Sequence, residues 1–372
     1  MNSLTKAIDK LAITLLKKLC EENLENVVFS PPSILFILAM VLLGAQNNTA
    51  DQIKKSLFLE RNRNIDRHFL SLLTEMNKPN VHCLIHGANR VFGENVLNFL
   101  PSFKESCKKF YDSDLEDVCF SEEAETVRKY INAWVAEKTG GTILELLPED
   151  TVNPLSLLIF VNIINFKLKW KNEAEPMKRT LRSHKEKHKM AKFTVKEGIF
   201  LGFYSEELGA NVCRSTYNGE EWNIIFVLPV DDGKKMAKRL TYEIFTAWMN
   251  PEVVALMEIL HNQLFLPKFK VEKSYNMAHI LCSLGISDAF NEDKADFSGL
   301  STLKDIYLLS VFHSSSLELN EEGIKASAAT AAVEIPATTK GEKELKTQSF
   351  FLFFIWSHTI NSILFCGRAS VP

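Results

Sequence analysis

Apolar residues recur at helical spacing at the start of the chain: Leu4, Ile8, Leu11, Leu15 and Leu16, with Lys and Glu between them. That period predicts an amphipathic helix with one buried stripe. Ser30-Pro31-Pro32-Ser33 breaks the pattern, and Ser33 is placed to cap the helix that follows. The run Ile34 to Ala45 is almost wholly apolar, which predicts a buried helix. Gly44 and Asn47-Asn48-Thr49 mark its end and the cap of the next helix. Thr126 to Lys138 reads as another amphipathic helix, stopped by Gly140-Gly141.

Later in the chain the pattern changes to short apolar runs rich in β-formers. Leu157-Leu158-Ile159-Phe160-Val161, Trp222 to Leu228, Leu264 to Phe269, Phe350 to Trp356 and Ile363 to Phe365 predict buried strands. Helices first and strands later argue for an α+β fold, not a βαβ array. No repeat or linker divides the sequence, so residues 1–372 read as one domain.

Composition adds a large core: 46% of residues are hydrophobic and 24% charged. The net charge of −3 supplies no global field for nucleic acid or an anionic membrane, and neither is expected as a partner. Seven cysteines, scattered from Cys20 to Cys366, form no disulfide framework and suit a reducing, cytoplasmic compartment. Met1-Asn2-Ser3-Leu4-Thr5-Lys6 does not read as a cleaved leader. The run from Ile34 is shorter than the about 20 residues a bilayer needs, but it leaves room for an uncleaved export signal. Only then would the Asn47-Asn48-Thr49 sequon be used.

No nucleophile elbow or phosphate loop is present, and the chain does not read as an enzyme. His184 and His188 have a helical zinc-ligand spacing, but Lys185, Glu186 and Lys187 lie between them. Two lysines disfavour a cation there, so neither a metal nor a cofactor is expected. Lys178 to Lys192 holds seven basic residues and one acidic residue, a pattern for a polyanion or for a solvated loop.

The most unusual stretch is Asn320-Glu321-Glu322-Gly323-Ile324-Lys325-Ala326-Ser327-Ala328-Ala329-Thr330-Ala331-Ala332-Val333. Propensity alone makes its alanines helical. Yet Gly323 precedes them, Thr330 and Val333 are β-branched, and Pro336 ends the run. So small a set of side chains also fits an extended strand, or one inserted between others. Pro336 to Ser349 is polar, as an exposed loop would be.

This segment resembles the reactive-loop hinge of the serpins, and the likeness extends along the chain. Asn26-Val27-Val28-Phe29-Ser30-Pro31-Pro32-Ser33-Ile34 and Leu43-Gly44-Ala45-Gln46-Asn47-Asn48-Thr49 resemble the family's first strand and the helix after it. Ile131-Asn132-Ala133-Trp134-Val135 with Thr139 resembles the helix over the main sheet. Asn162, Phe166-Lys167 and Trp170 resemble a strand of that sheet. Leu266-Pro267-Lys268-Phe269-Lys270, Ala295-Asp296-Phe297-Ser298-Gly299 and Leu364-Phe365-Cys366-Gly367-Arg368 complete the set. The start and end are similar to the intracellular, ovalbumin-like clade B branch. Phe103-Lys104-Glu105-Ser106 and Glu122-Glu123-Ala124-Glu125 are similar to its granzyme B-inhibiting members and their rodent relatives.

The resemblance implies a fold of helices around a large mixed main sheet, smaller sheets, and an exposed reactive-centre loop at about residues 321–349. It implies a monomer that acts as a suicide substrate of a serine protease. The loop is cleaved, the protease is held as an acyl-enzyme, and the freed segment enters the main sheet as a strand. Serpin loop insertion is itself an established instance of strand addition with release of stored strain. Carried over, the hinge is Glu321, Glu322, Gly323, Ile324, Lys325, Ala326, Ser327, Ala328 and Ala329. In the family's register Ile324, Ala326, Ala328, Thr330 and Ala332 enter the core face, and Lys325 stays solvated. The reactive bond is Ala337-Thr338, which suits an elastase-like protease; Lys340-Gly341 is the trypsin-like alternative. A sheet-opening cluster falls on Ser30, Ser33, Asn162 and His313.

Several positions depart from the family. Ile163, Asn165 and Leu168 replace its usual Ala, Tyr and Gly; Ser314 stands for a common Lys, and Ile324 for a small hydroxyl residue. These departures keep two alternatives open. One is a non-inhibitory paralogue acting as substrate, chaperone or binding protein. The other is an inhibitor of a cysteine protease.

Overall fold

A computed structural model describes residues 3–22, 26–59, 65–76, 78, 83–169, 176–178, 192–217, 222–230, 236–267, 270–320 and 350–370. The hinge from Glu321 to Ala329, both reactive-bond candidates, His184, His188 and Trp170 lie outside the described residues.

The first helix, α1 (Ser3–Glu22), buries Leu4, Ile8, Leu11, Leu15 and Leu16 as its period predicts. A short strand β1 (Val27–Phe29) leads into α2 (Pro31–Gly44). This helix is buried almost all round, and its mid-chain place in the core explains its uniform apolarity. The cap differs from the sequence expectation. Ser30 is the N-cap residue and Ser33 sits within the first turn. Pro31 and Pro32 have no N–H for the Ser30 hydroxyl to cap, and the Ser33 hydroxyl bonds to Asn162. Asn47 opens α3 (Asn47–Ser56) with φ at +48°, a conformation that asparagine tolerates. Its side-chain amide donates to Asp296 Oδ2 at 2.7 Å.

The expected order of helices before strands is only partly right. After α4 (Ile65–Met76) come β2 (Cys83–Glu94), α5 (Pro101–Tyr111) and β3 (Asp114–Val118), so with β1 three strands fall among the early helices. The next helix, α6 (Phe120–Lys138), begins six residues before Thr126, with a break at Glu123. Its start is held by the Glu94 carboxylate, which accepts from Phe120 N at 2.5 Å and Ser121 N at 3.1 Å. Gly140 and Gly141 end it with φ of +60° and +77°, which side chains other than glycine rarely adopt.

Strands then dominate: β4 (Leu158–Lys169), β5 (Pro176–Lys178), β6 (Lys192–Ser205), β7 (Ala210–Tyr217) and β8 (Trp222–Pro229). Short helices α7 (Met236–Arg239), α8 (Tyr242–Ala247) and α9 (Pro251–Ala255) separate them from β9 (Glu258–Pro267) and β10 (Lys270–Asn276). The chain continues through α10 (Ala278–Ser283), β11 (Ser310–Asn320), β12 (Phe350–Ser357) and β13 (Ser362–Ser370). Among the described residues no helix is long and apolar enough to cross a membrane.

Two sheets result. The eight-stranded one runs β1-β13-β12-β8-β7-β6-β5, with β9 also on β6, and every pair is antiparallel. Its central strands are buried on both faces, which is why β8 and β12 read as unbroken apolar runs. At Gly367 a Cβ would lie 2.0 Å from the Val27 carbonyl oxygen, so only glycine lets β1 pair with β13 there.

The five-stranded sheet is the mixed one, in the order β10-β11-β4-β2-β3. At its centre β11 and β4 are parallel neighbours in unbroken register from Ser310↔Ile159 to Asn320↔Lys169. Side chains alternate between two cores. Phe160, Ile164 and Phe166 join the cluster that contains α2, while Ile159, Val161 and Ile163 meet Ile131, Trp134 and Val135 of α6.

Candidate functional site

Four side chains form a row across the five-stranded sheet. Tyr275 on β10 is the register partner of His313 on β11, His313 of Asn162 on β4, and Asn162 of Asn89 on β2. In-register neighbours share a face, here the one packed on α2. Asn162 and His313 are fully buried, with Ser30 and Ser33 above them.

The hydrogen bonds assign roles. Ser30 N donates to His313 Nε2 at 3.4 Å, so that nitrogen is an acceptor. His313 Nδ1 then carries the proton and donates to Asn162 Oδ1 at 2.5 Å. Asn162 Nδ2 donates to Asn89 Oδ1 at 2.6 Å, and Ser33 Oγ lies 2.9 Å from Asn162 Oδ1. A second proton on His313 would displace Ser30 N and charge a dry site; burial pushes its pKa down to about 3. Tyr275 stacks parallel to the imidazole, and its hydroxyl accepts from Val28 N at 3.2 Å. Ser315 Oγ donates to Val28 O at 2.8 Å, so side chains of β10 and β11 hold both backbone groups of that β1 residue.

All four cluster residues expected from the sequence therefore meet. One detail differs: Ser30 contributes its backbone N–H, and its buried hydroxyl has no hydrogen-bond partner. Asn89, Tyr275 and Ser315 were not anticipated. The signal that would have found them is strand register, which links residues more than 70 positions apart in the case of Asn89 and Asn162. A cavity of about 40 Å³ adjoins the row, lined by Ser33, Asn89, Asn162, Phe36, Met76 and Ile85. It is far below the about 300–1,000 Å³ of small-molecule pockets and suits a water or two.

On the opposite face the seam between β4 and β11 is apolar below and polar above. Phe312 and Ile163 lie under α6. Above them Asn165 is buried, with its Nδ2 at 3.5 Å from Thr139 O and its Oδ1 unbonded. Nearer the upper end, Lys167 Nζ is 3.7 Å from Glu318 Oε2, between residues directly opposed in the register.

Buried polar side chains thus bridge two parallel strands that pair directly with each other. The sequence profile described as Serpin (serine protease inhibitor) matches residues 6–372. The chain belongs to the serpin family. It is 45% identical to Serpin B8 of Homo sapiens and 37% identical to the human leukocyte elastase inhibitor, each over the full length of both chains. The crystal structure of uncleaved ovalbumin superposes with a TM-score of 0.90 at 25% identity, covering all of both chains. The serpin belongs with the ovalbumin-like clade B branch, as its motifs imply.

Proposed function

We propose that this serpin is a suicide-type inhibitor of a serine protease, a trap and not a catalyst. The observation that carries the reading is the direct β11–β4 pairing, with the hinge sequence following the end of β11 at Asn320. A strand returning antiparallel from that end, between β11 and β4, can bond to both. Eleven register pairs line the seam, so a strand beginning at Ile324 ends at Glu334, short of Ala337-Thr338. Cleavage at that bond frees the whole length needed. In the alternating register Lys325 stays on the α6 face and no charge enters the α2 core before Glu334.

Ile335-Pro336-Ala337 offers a small side chain to an elastase-like pocket, and Lys340-Gly341 a trypsin-like bond. The leukocyte elastase inhibitor among the relatives agrees with the first choice. Cys20, Cys107, Cys119, Cys213, Cys282 and Cys366 are free thiols, which supports a monomer working in the reducing cytoplasm. The second reading, a non-inhibitory paralogue, is favoured by Ile324, whose bulk slows the first step of insertion.

The test is incubation with pancreatic elastase and with trypsin, followed by denaturing gels and mass spectrometry of the cut. A covalent complex and a large rise in thermal stability of the cleaved chain are expected. Cleavage with neither result rejects the trap and selects the non-inhibitory reading.

A further inference from the structure

We propose that the Lys167–Glu318 ion pair is a salt-sensitive latch across the upper end of the β4–β11 seam, and that it sets the fraction of protease encounters ending in a trapped complex. This inference rests on the inhibitor reading and adds a rate-setting pair of residues to it.

Two kinds of side-chain bond cross the seam. On the α2 face, His313 meets Asn162 deep in the core, where solvent ions do not reach. On the α6 face, Lys167 and Glu318 form the only salt bridge joining the two strands among the described residues. Their side chains are 46% and 20% exposed, so dissolved salt screens them. Position decides which bond is met first. The segment after Asn320 is tied to the top of β11, so the seam parts from that end, and Glu318 lies two residues below it. The strands cannot separate there while the pair is made. Next come Asn165 and Ser316, opposed in register; Asn165 has an unbonded oxygen and resists little. Only then does the opening reach His313 and Asn162.

The latch acts on a race. After cleavage, insertion competes with hydrolysis of the acyl-enzyme, so a small change in opening rate changes the ratio of trapped to released protease in proportion. A half-exposed ion pair carries enough for an effect of about 1.5–5-fold.

The experiment compares wild type with Glu318→Gln, Lys167→Gln and the charge-reversed double variant K167E/E318K. Each is mixed with pancreatic elastase and with trypsin in 0.05 M and 0.5 M NaCl (about 14 and 4 Å of screening length). Each single variant should raise the ratio of complex to cleaved inhibitor by about 1.5–5-fold at low salt and remove its salt dependence. The double variant should restore wild-type behaviour. Hydrogen exchange of the intact proteins gives a second readout: the single variants should expose amides near Leu317 to Leu319 faster, with those near Val311 unchanged. If wild type traps protease but both single variants keep its ratio, salt dependence and exchange, the latch is wrong and the inhibitor reading stands. If wild type neither traps protease nor gains stability on cleavage, the inhibitor reading fails and the latch fails with it.

Discussion

His313 and Asn162 face each other across parallel strands, with the imidazole Nδ1–H donating to the amide oxygen at 2.5 Å. The same Asn162 side chain also meets Ser33 from α2 and Asn89 from β2. One amide thus joins three strands and a helix. Replacing it with alanine leaves Asn89 and the His313 donor unpaired in a dry site, where each unmet group costs about 1–3 kcal/mol. Asn162→Ala should lower the urea midpoint of unfolding more than any single change at Ser33. The check is equilibrium or kinetic unfolding of both variants; equal midpoints would remove Asn162 from the centre of the network.

Much of this serpin is legible in its sequence, and the illegible parts share a cause. The run Trp222 to Leu228 announces β8 because burial on both faces forces an unbroken apolar pattern. Gly140-Gly141 announces a stop because few residues other than glycine tolerate its backbone angles. By contrast β2, with His86, Asn89 and Arg90 among its apolar residues, carries no clear alternation, and β3 is a partly exposed edge strand. Ser33 reads as a cap because local sequence shows only local partners; its bond to Asn162 spans 129 residues. The Lys167–Glu318 pair is hidden for the same reason, since only register opposes the two residues.

His313 should carry a pH-dependent share of stability. In the unfolded chain its imidazole binds a proton near 6.5, whereas in the folded protein it stays neutral down to about 3. Between those values unfolding takes up a proton, so its contribution is present above pH 6.5 and is lost as pH falls. The slope is about 1.4 kcal/mol per pH unit within the window. His313→Gln keeps a donor and an acceptor without the titration. The stability of wild type relative to this variant should therefore shrink by about 2 kcal/mol from pH 7 to pH 5. A constant difference in thermal or urea unfolding would show that His313 does not titrate this way.

Asn165 marks a place where the closed sheet is less stable than it need be. Its buried Oδ1 is unbonded, and its Nδ2 lies a long 3.5 Å from Thr139 O. Leucine has a similar volume and nothing to satisfy. Asn165→Leu should raise the stability of the uncleaved chain by about 1 kcal/mol or more. It should also slow insertion, because opening the seam no longer relieves an unmet polar group. Differential scanning calorimetry reads the first effect, and the complex-to-cleaved ratio the second. A loss of stability would mean that water or a neighbour satisfies the oxygen.

Asp9 supplies the opposite pH slope. Its carboxylate is buried on α1, where Oδ1 accepts from Ser362 Oγ at 2.7 Å and Ile363 N at 2.9 Å. Its Oδ2 has no partner. Burial outweighs these two bonds and lifts its pKa to about 7. The unfolded chain releases this proton near 3.8 and the folded chain near 7, so unfolding releases a proton between them. Stability from this group is therefore full below pH 3.8 and is lost as pH rises through 7. Between about pH 4 and 6.5 that loss offsets the gain from His313, and wild type should show a nearly flat stability profile. Asp9→Asn keeps the acceptor for Ser362 and Ile363 but never ionises. It should be more stable than wild type at pH 8 by about 1–3 kcal/mol, lose that advantage by pH 4.5, and uncover the His313 slope in between. Urea unfolding of both proteins from pH 4.5 to 8 tests the three statements together. Parallel profiles would show that Asp9 remains ionised in the folded chain throughout.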